Sequence, residues 1–115
     1  MLHVVNKSRE VTLVDKGRVA KNAWARFKGL IGVKHLPAGD GLLILPCNSV
    51  HCMWMSIPID VLYCSRDHRV VAMDEQLRPW RIGSLHKGVH YVVELPAGTI
   101  AGTGTAAGDV LEVSF

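Results

Sequence analysis

Apolar residues in the first part of the chain come in pairs and alternations, a period that belongs to strands rather than helices. Val4-Val5, then Val11 and Leu13, read as short strands, a turn falls at Lys16-Gly17, and Arg18-Val19-Ala20 reads as another strand. From Asn22 the pattern changes. Ala23, Trp24, Phe27, Leu30 and Ile31 recur at the spacings that gather side chains on one helical face, with Asn22 as N-cap and Gly32 as the stop. The spacing predicts the one long helix of the chain within residues 22–31, with Arg26 and Lys28 off its apolar face.

After a turn at Leu36-Pro37-Ala38-Gly39, strand signals follow quickly: residues 41–46, 50–55, 59–64, 69–73, 90–95 and 110–115. Ser65-Arg66-Asp67-His68 reads as a hairpin turn between two of them. Residues 99–105 hold one helical turn at most, since Gly102 and Gly104 are poor helix formers. Leu-Pro-Ala-Gly occurs at residues 36–39 and again at 95–98, which four turn-prone residues make two similar turns rather than a duplication. The expected fold is α+β and mainly β: a curved antiparallel or barrel-like sheet with one main helix packed at its side.

Length adds that residues 1–115 form one domain around one core. Hydrophobic residues are 49% and charged residues 20%, ordinary globular usage that argues against disorder. The longest apolar run, residues 41–46, falls far short of the ~20 residues that cross a bilayer, and no signal-peptide pattern follows Met1, so no membrane association and a cytoplasmic location are expected. Cys47, Cys52 and Cys64 are odd in number and lack C-x-x-C spacing, which predicts reduced thiols rather than a disulfide framework. The formal charge of +3 is only mildly basic and spread along the chain, which favours a nucleic-acid partner slightly without deciding it; none is expected.

Candidate chemistry lies on the strands. In residues 50–55 alternation puts His51, Met53 and Met55 on one face, a soft set that suits copper(I), although methionines and cysteines are common core fillers and no metal or cofactor is expected. Asp60 shares a face with Leu62 and Cys64, where a bare carboxylate costs several kcal/mol, so it needs a partner: Arg26, Arg78, Arg81 or the N–H groups of a turn. Glu94 repeats the anomaly beside Val92. These two carboxylates could converge in one cleft as general acid and base. In Leu77-Arg78-Pro79-Trp80-Arg81-Ile82 two guanidiniums flank an indole, a pairing suited to anions or sugars; the plainer reading has Trp80 plugging a barrel end while the arginines pair with Asp60 or Glu94. His86 and His90 have helical metal spacing, but Gly88 and a following strand spoil the geometry. No dinucleotide, P-loop, nucleophile-elbow or metalloprotease motif is present.

Taken in order, Arg26-Phe27-Lys28-Gly29-Leu30, Gly41-Leu42-Leu43, Val50-His51, Met55, Ile59-Asp60-Val61, Leu77-Arg78-Pro79-Trp80, Glu94-Leu95-Pro96-Ala97-Gly98 and Gly108-Asp109 resemble the domain of unknown function 192 family over residues 19–113. Cys52 stands where many relatives have Thr, and Trp54 is at a variable position. The resemblance implies a compact, β-rich α+β fold and no established activity. Its motif positions include His51, Met55, Asp60, Arg78, Trp80 and Glu94, all singled out above on physical grounds.

The leading functional expectation is a non-catalytic module. It would bind a small anionic or carbohydrate-like ligand, or a short peptide, in a cleft lined by Trp80, Arg78, Arg81 and His51, with Met55, Asp60 and Glu94 nearby. Two other readings stand beside it: an enzyme using Asp60 or Glu94 as acid or base with His51, and a protein-interaction domain.

Overall fold

The computed structural model describes residues 1–22, 34–47, 56–79, 81, 83 and 86–115. The helix expected at residues 22–31 and the strand expected at 50–55 lie outside these, apart from Asn22. The described elements are β1 (Leu2–Asn6), β2 (Val11–Ala20), β3 (Leu42–Ile44), β4 (Ile59–Cys64), β5 (Val70–Leu77), β6 (Tyr91–Pro96), a short helix α1 (Thr99–Thr103) and β7 (Leu111–Ser114). The strands form one seven-stranded sheet in the order β5-β4-β6-β3-β2-β1-β7. Neighbours are antiparallel except β2 and β3, which run parallel. The mostly β architecture and curled sheet expected from the chain are therefore present.

Lys16-Gly17 is not a turn. β2 continues through both residues to Ala20. Pairing with β1 steps from Val4↔Val14 to Leu2↔Gly17, so an extra residue of β2 is accommodated in a bulge. Glycine is needed there because of close approach. A Cβ on Gly17 would lie 2.5 Å from Val14 Cγ1 and 2.8 Å from the Gly41 carbonyl oxygen. Likewise β5 extends beyond residue 73 to Leu77 by means of a second bulge, between the pairs Ile59↔Leu77 and Val61↔Asp74.

The sheet curls until its edges meet at one point. Arg69 bridges Val110, the Val70 N–H donates to the Asp109 carbonyl at 2.8 Å, and the Leu111 N–H donates to the His68 carbonyl at 2.8 Å. The result is a half-barrel with two unlike faces. Its inner face gathers side chains from all seven strands, among them Leu2, Val14, Leu43, Leu62, Val70, Val93 and Leu111, with Ile100 of α1 packed against them. The outer face is apolar only over its centre, where Ala20, Leu42, Ile44, Ile59, Val61, Tyr63 and Val92 form a second cluster. This explains why every residue of β4 is buried: as a central strand it is covered on both sides. A polar knot ties the chain between α1 and β7 to the β1–β2 hairpin, with the Asn6 amide donating to Thr105 Oγ1 at 3.1 Å and to Asp109 Oδ2 at 2.9 Å. Arg9 Nε reaches the same Asp109 oxygen at 3.0 Å.

Candidate functional site

Asp60 and Glu94 face opposite sides of the sheet. In the β4–β6 register Asp60 stands opposite Leu95 and Val61 opposite Glu94, and directly paired residues share a face. Leu95 belongs to the inner cluster and Val61 to the outer one. The two carboxylates therefore do not share a cleft, which corrects the expectation of an Asp60–Glu94 acid–base pair. A ladder of period two decides this by its register alone.

Asp60 is fully buried and holds the fold together. Its Oδ1 accepts the Gln76 N–H at 2.8 Å, and its Oδ2 accepts the N–H groups of Gly98 at 3.1 Å and Ile100 at 2.8 Å. Each donor is aimed by a backbone irregularity. Gln76, with φ of 51°, lies in the β5 bulge, and Gly98, with φ of 95°, turns the chain from β6 into α1 in a conformation that a side chain disfavours. The carboxylate thus joins β4, β5 and the start of α1 at one end of the half-barrel.

Glu94 sits in a different environment. Its side chain is 3% exposed, between Leu42 on β3 and Val61 on β4, and no described residue gives it a hydrogen-bond partner. Burial pushes its carboxyl up to about 7. Beyond Val61, the next residue in the same cross-strand row is Asp74 of β5, roughly 10 Å from Glu94 at two strand spacings. Asp74 accepts a hydrogen bond from the Tyr63 hydroxyl at 2.6 Å, and the Tyr63 ring meets the His86 ring with centroids 5.4 Å apart. Tyr63 and Asp74 are not singled out by the chain alone, and His86 only as half of a discounted metal pair. The signal available was alternation along β5, which puts Ala72 and Asp74 on one face, but only the pairing with β4 places that face beside Glu94.

The arginine segment follows directly. Leu77, the last residue of β5, packs on the outer cluster, and the Arg81 N–H donates to the Arg78 carbonyl at 3.3 Å, closing a turn with Pro79 in its second position. Both arginines are exposed, and among the described residues neither pairs with Asp60 or Glu94, so the reading of them as partners for those carboxylates is corrected. His51, Met55 and Trp80 lie outside the described residues. Among the described residues no cluster of His, Cys, Asp or Glu could hold a metal ion, and no helix is long and apolar enough to cross a membrane. Cys47 and Cys64 are not joined in a disulfide; Cys52 lies outside the described residues.

This geometry defines a β half-barrel that carries one buried carboxyl, Glu94, on its outer face and another, Asp60, within. The chain belongs to the DUF192 family, whose model, described as "Uncharacterized ACR, COG1430", matches residues 4–113. It is 30% identical over 114 residues to a UPF0127 protein of Pyrococcus abyssi, spanning 95% of each chain. Two solved structures share the fold, each with a TM-score of 0.84. One is a protein of unknown function from Novosphingobium aromaticivorans, 22% identical, covering 96% of this chain and 82% of that one. The other, described as a candidate transcription regulator from Sinorhizobium meliloti, is 24% identical and covers 97% of this chain and 91% of that one.

Proposed function

We propose that the protein is a non-catalytic module that binds a small carbohydrate-like or anionic ligand, or a short peptide, on the outer face around Glu94 and the Arg78–Arg81 turn. Glu94 carries this reading. A carboxyl 3% exposed among apolar neighbours is costly to keep in its charged form, and a ligand O–H or N–H would stabilise it. The Tyr63–Asp74 hydrogen bond on the same face adds a second polar anchor, and the exposed guanidiniums of Arg78 and Arg81 suit the acidic or hydroxylated part of such a ligand. Trp80 stands between the two arginines in sequence, and an indole is a residue type that stacks on sugar rings and peptide side chains.

A thermal-shift screen of the full chain tests this, with mono- and disaccharides, sugar phosphates, dicarboxylates and tripeptides as probes. A true ligand raises the melting temperature with concentration, since binding to the folded state alone stabilises it by RT ln(1 + [L]/Kd). The shift is expected to shrink in Trp80→Ala, Arg78→Ala and Glu94→Gln. A panel in which no probe shifts the parent, or in which the variants respond like the parent, removes the proposal.

A further inference from the structure

The inner face of the half-barrel ends differently at its two ends. At one, Ile100 of α1 packs into the core beside the Asp60 anchor. At the other, where β6 starts at Tyr91 and the β4–β5 turn closes, a pocket of about 190 Å³ opens. Its walls are Leu43, Leu45, Val113 and Phe115. Such a mouth, apolar in its depth with a few polar groups at the rim, is a recurrent place for small ligands in β-barrels.

The rim is cationic. Arg66, from the turn between β4 and β5, lines the pocket and has no partner among the described residues. Lys21 does not line the pocket itself, but its Nζ stands 4.4 Å from the centroid of the Phe115 ring, which does. His68 Nδ1 is 2.9 Å from the Tyr91 hydroxyl, which fixes the imidazole and leaves Nε2 for another contact. Asp67, the carboxylate of the same turn, is engaged by the Ser65 hydroxyl. A guanidinium without a partner presents a planar fork that matches a carboxylate, while the volume behind it holds roughly six non-hydrogen atoms at the ~30 Å³ that a water molecule occupies. That is the size of one phenyl ring or a branched five-carbon chain. Phosphate, with more oxygens to satisfy and no apolar body, would leave the walls empty.

We infer that this mouth binds a small monocarboxylic acid with a branched-aliphatic or single-ring aromatic body, its carboxylate on Arg66 and its body against Leu43, Leu45, Val113 and Phe115. The site lies on the opposite side of the sheet from Glu94 and goes beyond the outer-face reading, so either can fail alone.

Methyl NMR on the full chain, titrated with phenylacetate, phenylacetamide and inorganic phosphate, tests the inference. Phenylacetate is expected to shift the Leu43, Leu45 and Val113 methyls saturably. Arg66→Gln, an exposed position whose variant keeps the parent spectrum, weakens that binding about tenfold or more, as loss of a charge-assisted hydrogen bond does. Phenylacetamide binds about tenfold more weakly than phenylacetate for the same reason, and phosphate leaves the methyls unmoved. The inference is overturned if phenylacetate moves none of these methyls, if Arg66→Gln binds it as the parent does, or if the amide binds as tightly as the acid.

Discussion

Removing the Asp60 side chain should cost more stability than any other single polar truncation near the sheet ends. In Asp60→Ala three backbone N–H groups lose their acceptor together, that of Ile100 buried and those of Gln76 and Gly98 partly so. A hydrogen bond to a charged group contributes ~1.5–3 kcal/mol net, and each stranded donor costs ~1–3 kcal/mol. Water entering the vacated space recovers part of this, so the expected loss is about 3–5 kcal/mol. That is a large share of the ~5–15 kcal/mol that keeps a typical domain folded. Asp60→Asn separates charge from shape. One amide oxygen can still accept from Gly98 and Ile100 as Oδ2 does, but the NH₂ then faces the Gln76 N–H, donor against donor. The amide variant should therefore lose roughly 2 kcal/mol, less than the alanine variant. Urea melts with a common m-value give both differences. Amide exchange should rise first at Gln76, Gly98 and Ile100, because the variant opens the junction of β5 with α1 before the whole sheet. If Asp60→Ala melts within about 1 kcal/mol of the parent, the carboxylate does not hold this junction and the reasoning from its three donors is wrong.

Two further outcomes follow from the structure. Burial pushes the Glu94 carboxyl of the folded chain up to about 7 from its ordinary 4.5, so between these values the folded chain holds a proton that the unfolded chain has released. Stability from this group is full below about pH 4.5 and declines as pH rises through about 7, by about 3 kcal/mol in all. In Glu94→Gln that decline should disappear, and equal pH slopes for parent and variant in denaturant melts would refute the assignment. Gly17→Ala should cost about 2 kcal/mol or more, because its Cβ would meet the Gly41 carbonyl oxygen at 2.8 Å, a backbone atom that cannot swing away; a variant that melts at the parent's midpoint would show that the bulge yields.

Strand propensity and alternation along the chain by themselves determine much of this protein. The runs at β4, β6 and β7 were legible because branched and aromatic residues cluster between turn signals, and the need of Asp60 for buried partners followed from its apolar neighbours in the same phase. Lys16-Gly17 was misread because glycine marks both a turn and a bulge, and only the approach of Gly41 and Val14 distinguishes them. Which group answered Asp60 was likewise open in the chain: arginines and turn N–H groups were equal candidates until the β5 bulge and the turn at Gly98 brought three donors to it. The tertiary structure alone decided that Glu94 belongs with Asp74 and Tyr63 rather than with Asp60, and that Leu43, Val113 and Arg66 meet at one mouth. The reason is geometric. Alternation tells which residues of one strand share a face, but register between strands and the curl that brings β5 to β7 are set by contacts far apart in sequence, and those contacts decide which faces meet.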